Sequence, residues 1–171
     1  MAIDFNQNYF QLFELENSFD VNYESLEKKY LSFQKSFHPD KFVNASDQEK
    51  RISLQIISYI NEAYETLKND YLKSIYLLKI NGYEIDDQNT TISDPDFLMH
   101  QMELREELEE IEKSESTELK KIFLEKINKH KIDCLNDFKE YFNKHFYDEA
   151  SKKVKKMKFY ISIENEIVRM D

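Results

Sequence analysis

The sequence has few of the residues that interrupt helices, with one glycine and two prolines among 171 residues. Because 40% of the residues are apolar, the chain can bury a core and suits one domain or two small ones. An almost entirely α-helical fold is predicted. The single cysteine, Cys134, excludes an internal disulfide and any cysteine-rich zinc or iron–sulfur site contained in the chain.

Long apolar runs are also missing, and none approaches the length of a membrane span. The opening residues Met1-Ala2-Ile3-Asp4 lack the basic region and apolar stretch of a signal peptide. We therefore expect a reducing, cytoplasmic compartment and no membrane partner. The formal charge of −10 opposes general affinity for nucleic acid. Acidic residues concentrate between Asp94 and Glu118, where ten of them accompany only two basic residues.

The tripeptide His38-Pro39-Asp40, followed by Lys41-Phe42, lies between two segments with helical apolar periodicity. Pro39 ends the first helix because it lacks an amide proton and disfavours helical backbone at His38. Asp47 is predicted to cap the second helix. Two apolar faces joined by a short polar loop predict an antiparallel hairpin with the tripeptide at its tip. The apolar positions are Leu26, Tyr30, Phe33 and Phe37 upstream, and Ile57, Ile60, Tyr64 and Leu67 downstream.

This arrangement resembles the J-domain, the helical hairpin by which co-chaperones engage ATPases of the DnaK and HscA type. Tyr30 and Phe33 precede the tripeptide where that family has an aromatic and an apolar residue, and Asn69-Asp70-Tyr71 departs from the proline of many relatives. Two further segments resemble its third and first helices, Ile60-Asn61-Glu62-Ala63-Tyr64-Glu65-Thr66-Leu67 and Asn8-Tyr9-Phe10-Gln11-Leu12-Phe13.

A domain boundary is predicted after Asn81-Gly82, which reads as the C-cap of a helix. That helix is expected to bury Leu72, Ile75, Tyr76 and Leu78. Residues 83–93 are polar and lack helical periodicity, so we interpret them as a linker. Asp94-Pro95 then supplies an N-cap with proline at the first helical position. The predicted domains are therefore 1–82 and 94–171.

The helix after Pro95 carries apolar residues on two faces. Phe97, Leu104, Leu108 and Ile111 form an inward stripe. Leu98, Met99 and Met102 fall roughly 100° to 200° away from Phe97 around the helix axis. They are either core for another helix or an exposed apolar patch, rimmed by Glu103, Glu106 and Glu110, for a basic and partly apolar partner.

Two more apolar stripes complete a predicted three-helix bundle. His130 and Cys134 are four residues apart on the first stripe with no third ligand nearby, so we interpret them as core and predict no metal site. Phe159 lies off the second stripe and either joins the exposed patch or covers a neighbouring helix. The stripes are Leu119, Phe123, Ile127, His130, Cys134 and Phe138, then Ala150, Val154, Met157, Ile161 and Val168.

The segments Thr90-Thr91-Ile92-Ser93-Asp94-Pro95-Asp96-Phe97-Leu98-Met99 and Met102-Glu103-Leu104-Arg105-Glu106-Glu107-Leu108 resemble HscB, the J-type co-chaperone family of iron–sulfur cluster biogenesis. The resemblance implies that the C-terminal bundle binds the scaffold protein IscU and that the J-domain delivers it to the ATPase HscA. Met102 stands where some relatives have leucine. The implied scaffold-binding residues are Leu98, Met99, Met102, Glu103, Glu106, Glu110 and Phe159.

The resemblance further implies an adaptor without a catalytic residue or cofactor of its own. His38, Pro39 and Asp40 would give specificity for the ATPase, and Lys29, Lys35 and Lys41 would steer the J-domain onto its acidic surface. An acid/base pair of His38 and Asp40 is disfavoured, because no nucleophile or phosphate-binding loop accompanies it. A J-domain protein with a different client and a helical interaction protein with an accidental tripeptide stay open as alternatives.

Overall fold

The computed structural model describes residues 3–85 and 94–170, which contain seven α-helices and no strand. They divide into two compact units, Met1–Asn81 and Gly82–Asp171, called here the N-terminal and the C-terminal unit. The prediction of an all-α fold, with a helical hairpin followed by a three-helix bundle, is confirmed. Of the predicted linker, residues 86–93 lie outside the described residues, and with them Thr90 to Ser93 of the HscB-like segment. The limits 1–82, 83–93 and 94–171 therefore stay predictions.

The N-terminal unit is built around an antiparallel hairpin. Its helices are α1 (Tyr9–Leu12), α2 (Tyr23–Phe37), α3 (Asp47–Lys68) and α4 (Asp70–Ile80). The rings of Tyr30 in α2 and Tyr64 in α3 stack with their centroids 3.9 Å apart. Asn61 Oδ1 accepts hydrogen bonds from the Tyr30 hydroxyl at 3.1 Å and from Gln34 Nε2 at 2.7 Å. Packing and hydrogen bonds together fix the register of the hairpin.

Two local predictions in the N-terminal unit were wrong. Ser46, not Asp47, caps α3, because Ser46 has the extended backbone an N-cap needs and exchanges capping-box hydrogen bonds with Glu49. Leu72 is 40% exposed, whereas Lys73 is fully buried. Lys73 Nζ donates to Asp70 Oδ1 at 2.9 Å and lies 4.4 Å from the centroid of the Phe19 ring. These contacts turn α4 so that a charged side chain occupies a core position.

The C-terminal unit is a bundle of α5 (Pro95–Ser114), α6 (Thr117–Asn143) and α7 (Tyr147–Val168). As predicted, Asp94 caps α5 by accepting from the Phe97 backbone N–H at 3.1 Å. Ion pairs between Lys126 and Glu107 and between Lys131 and Glu164 run between neighbouring helices. The core contains the predicted stripe of α5 and most of that of α6, namely Phe97, Leu104, Leu108, Ile111, Phe123, Ile127, Cys134 and Phe138.

The ends of the two long stripes differ from the prediction. Leu119 is 45% exposed and Val168 is 58% exposed, because each lies in the terminal turn of its helix. Ile161 is only half-buried, and the second half of α7 instead buries Tyr160, Ile163 and Ile167. Among the described residues, no helix is long and apolar enough to cross a membrane.

Candidate partner-binding surfaces

The turn that carries His38-Pro39-Asp40 is held by its backbone and exposes its side chains. His38 is the C-cap of α2, and Pro39 begins a 3-10 helix, Pro39–Phe42. The Lys41 backbone N–H donates to the His38 carbonyl oxygen at 3.0 Å. The side chains of His38 and Asp40 are 52% and 86% exposed. A fixed backbone with solvated polar side chains suits recognition by a partner and lacks the enclosure of an active site.

The His38 imidazole is oriented by its neighbour Asp40. The Asp40 backbone N–H donates to His38 Nδ1 at 3.3 Å, and the Asp40 Oδ2 atom lies 3.5 Å from the same nitrogen. Because Nδ1 accepts this bond, the proton of the neutral ring resides on Nε2. The turn can therefore offer a partner one donor, at Nε2, and one acceptor, the Asp40 carboxylate.

The three lysines predicted to accompany the turn differ in their surroundings. Lys35, in the last turn of α2, and Lys41, in the 3-10 helix, are exposed. Lys29 lies about 13 Å along α2 from His38. Its Nζ is 2.6 Å from Glu14 Oε1, and its side chain is only 24% exposed. Lys35 and Lys41 therefore carry solvent-exposed positive charges near the turn, whereas the charge of Lys29 is partly neutralised by Glu14.

A small apolar hollow lies beside the turn and was not predicted from the sequence. It has a volume of about 170 Å³ and is lined mainly by Phe37, Phe42, Ile52 and Ile56. Ile52 is 45% exposed at its edge. The available signal was that Phe37 and Phe42 flank the tripeptide on both sides. A partner that contacts the turn therefore meets apolar surface next to polar groups.

The second surface is the outer face of α5. Leu98, Met99 and Met102, named here the apolar patch, are 58%, 63% and 59% exposed. These three residues do not form core for another helix of the bundle. The core is made by the opposite face of α5. Large apolar side chains exposed together are a signature of a binding surface. The predicted acidic rim, Glu103, Glu106 and Glu110, is also exposed.

Phe159 of α7 is half-buried and packs against the start of α5. Its ring meets Phe97 edge-on, with the centroids 5.8 Å apart. Arg105 lies over the same ring at 5.7 Å, and its guanidinium is 3.6 Å from the Glu166 carboxylate. The sequence did not single out Arg105, whose contact joins residues more than 50 positions apart. Phe159 therefore covers a neighbouring helix while part of its ring stays exposed.

Comparison with known proteins identifies the family. A family model described as the HSCB C-terminal oligomerisation domain matches residues 93–168. The co-chaperone protein HscB homolog of Aliivibrio salmonicida (strain LFI1238) is 36% identical over 165 residues, which cover 96% of both chains. The chain belongs to the HscB family of co-chaperones. The relatives that it matches bear the names co-chaperone and chaperone.

Solved structures of the HscB family share the fold. The chaperone HscB from Vibrio cholerae superposes with a TM-score of 0.84 at 32% identity, over 95% of this chain and 96% of that one. The human co-chaperone protein HscB gives a TM-score of 0.91 at 30% identity, over 99% of this chain and 84% of that one. The family and the fold are therefore established for nearly the whole chain, whereas the roles of single residues are still to be tested.

Proposed function

We propose that this HscB-family chain is an adaptor in iron–sulfur cluster assembly. It binds an IscU-type scaffold protein through the apolar patch, the acidic rim and Phe159, and it presents the scaffold to an HscA- or DnaK-type ATPase in the cytoplasm. The observation that carries the proposal is the exposed apolar patch inside an acidic rim, in a chain whose other unit exposes His38 and Asp40. One unit thus offers a client surface and the other a polar turn.

The chemistry of each surface indicates the partner it fits. The apolar patch contributes affinity when its exposed side chains leave water, and the rim selects for a partner with positive charge beside its apolar contacts. On the N-terminal unit, Lys35 and Lys41 favour approach to an acidic surface, an effect that salt weakens. His38 and Asp40 then provide a directional donor and acceptor.

Stimulation of the ATPase needs no catalytic group from this chain. A protein that binds one conformation of its partner more tightly shifts the partner toward that conformation, by as much as the two affinities differ. If the turn prefers the conformation that hydrolyses ATP faster, the rate rises. A scaffold held on the C-terminal unit is at the same time brought to a high effective concentration near the ATPase.

The decisive experiment measures steady-state ATP hydrolysis by the HscA-type ATPase with this chain and the scaffold, separately and together. We expect stimulation that is greater than additive when both are present. His38→Gln should abolish it, because Gln cannot reproduce the orientation of the imidazole. His145→Gln is the matched control, since His145 is an exposed histidine of the C-terminal unit outside both surfaces.

Three outcomes would count against parts of the proposal. Stimulation that ignores the scaffold would keep the co-chaperone activity but require a different client. If neither this chain nor the mixture stimulates hydrolysis, while circular dichroism shows a folded helical protein, the assignment of the ATPase is wrong. Equal losses in His38→Gln and His145→Gln would show that the turn has no specific role.

A further inference from the structure

Three aromatic rings, one from each helix of the C-terminal unit, lie in contact with one another. They belong to His100 of α5, His130 of α6 and Tyr160 of α7, and we call them the histidine cluster. The rings of His130 and Tyr160 stack with centroids 5.1 Å apart and planes 9° apart. The His100 ring meets His130 edge-on at 5.0 Å and lies 6.2 Å from Tyr160. The cluster is therefore a point where all three helices are in contact.

His100 carries an unusual polar atom in this cluster. Its Nε2 is buried and has no hydrogen-bond partner within residues 3–85 and 94–170. The other ring nitrogen, Nδ1, lies 3.7 Å from the exposed Glu103 carboxylate. Buried polar groups are nearly always hydrogen-bonded, and one that is not calls for an explanation beyond packing.

The histidine cluster is adjacent to the predicted scaffold contacts. His100 directly follows Met99 and precedes Met102 by two residues, and Tyr160 directly follows Phe159. Neighbouring positions of a helix move together, because the hydrogen-bonded backbone is stiff. His100 thus shares one stretch of α5 with the apolar patch, and Tyr160 shares one stretch of α7 with Phe159.

We propose that the histidine cluster positions the apolar patch and makes it proton-sensitive, so that the patch is correctly arranged when the His130 imidazole is uncharged. The identity of the ligand as the scaffold protein rests on the function proposed above. The coupling between the histidine cluster and the apolar patch does not depend on that function. His100, His130 and Tyr160 act through the patch, and none of them needs to touch the partner.

Burial and the neighbouring cations favour the uncharged form of His130. Burial lowers the pKa of His130, and the neighbouring His100 and Lys126 lower it further, against an opposing effect of Asp133. Lys129 on the same helix acts in the same direction as Lys126. On α7, burial raises the pKa of Tyr160 to about 12, so this ring stays neutral. On α5, the exposed carboxylate of Glu103 lies 3.7 Å from His100 Nδ1.

The sign of the pH effect follows from the lowered pKa of His130. At a pH above 6.5, the ordinary pKa of histidine, the packing of the neutral His130 ring stabilises the fold in full. As the pH falls through the lowered pKa of His130, a proton on its ring places a charge in the stack beside His100. We expect the contact between α5 and α6 to loosen in that range, and the patch to change with it.

Methionine methyl groups provide a direct test, because the chain has only five methionines. In NMR spectra of the free protein, the methyl signals of Met99 and Met102 should move with pH in step with the His130 ring. The signal of Met157, which is 4% exposed in the core, should move much less. His130→Phe keeps a ring to stack on Tyr160 but does not titrate, so it should abolish the movement.

Scaffold binding is the second readout. Between about pH 7.5 and pH 5, a span that passes below the lowered pKa of His130, we expect the dissociation constant of this chain to rise roughly 3- to 10-fold, and that of His130→Phe to change less. Equal pH dependence of the methyl signals in both proteins would overturn the coupling. If His130→Phe does not fold, His130→Gln, which also removes the titrating ring, replaces it. A chain that binds no scaffold at any pH would refute the proposed function, while the methyl titration would still decide the coupling.

Discussion

Met99 allows the sharpest test of the apolar patch, because it is the most exposed of the three side chains at 63%. Full burial of a methionine side chain contributes about 1.5–3 kcal/mol, so burying the exposed part against a partner contributes about 1–2 kcal/mol. Met99→Ala removes most of this contact. We therefore expect the dissociation constant for an IscU-type scaffold to rise roughly 5- to 25-fold, measured by isothermal titration calorimetry.

The same calculation predicts that stability changes little. An alanine in the exposed face of α5 leaves no cavity and favours the helix, so the thermal midpoint should stay within about 2 °C of the original protein. Ile132→Ala is the matched control, because Ile132 is 50% exposed on α6 of the same unit and is not part of the patch. This variant should bind the scaffold with unchanged affinity.

Two results would refute the reasoning about Met99. If Met99→Ala binds as tightly as the original protein, the patch is not the scaffold contact, whatever its exposure. If Ile132→Ala weakens binding equally, exposed apolar side chains contribute to affinity wherever they lie on the C-terminal unit, and the patch has no specific role. Leu98→Ala should resemble Met99→Ala, since Leu98 is 58% exposed, but the double variant need not show the sum, because the residues are neighbours.

Two further predictions concern the N-terminal unit. Lys73→Met should destabilise it by about 2–3 kcal/mol, because the stem is kept while the charged hydrogen bonds to Tyr23 and Asp70 are lost. Hydrogen exchange of α4 amides measures this, and unchanged protection would show that the buried charge contributes nothing. Lys41→Glu should raise the concentration for half-maximal ATPase stimulation several-fold at low salt. The difference should shrink as salt is added, and an effect independent of salt would argue against electrostatic steering.

The parts of the fold that were predictable are those set by local periodicity. Apolar residues spaced three or four apart, among them Phe33 and Ile60, identified the two helices of the hairpin. Asp94-Pro95 identified the start of α5. Gly82 has the left-handed backbone expected of a glycine after a helix, with a φ of 79°. Each of these signals needs only a few consecutive residues. They could therefore be recognised without knowledge of the tertiary structure.

The parts that were not predictable depend on contacts between distant residues. Lysine is rarely buried, so Lys73 gave no signal until Asp70, Tyr23 and Phe19 were seen around it. His100 belongs to no sequence motif, and its ring partners His130 and Tyr160 lie on two other helices. The second apolar face of α5 was visible in the sequence, but helical periodicity left open whether another helix covers it or solvent reaches it.

The acidic rim explains how the apolar patch can stay exposed in the free protein. In a two-fold symmetric dimer through the patch, Glu103, Glu106 and Glu110 of one copy would approach the same residues of the other, and like charges oppose such a contact. A partner with basic residues would instead be attracted by these glutamates. Replacing all three glutamates with glutamine should therefore promote self-association. Sedimentation velocity at low salt should show a larger associated fraction for the variant than for the original protein at the same concentration. If the variant sediments like the original protein, the rim does not protect the patch, and its role is confined to attracting the partner.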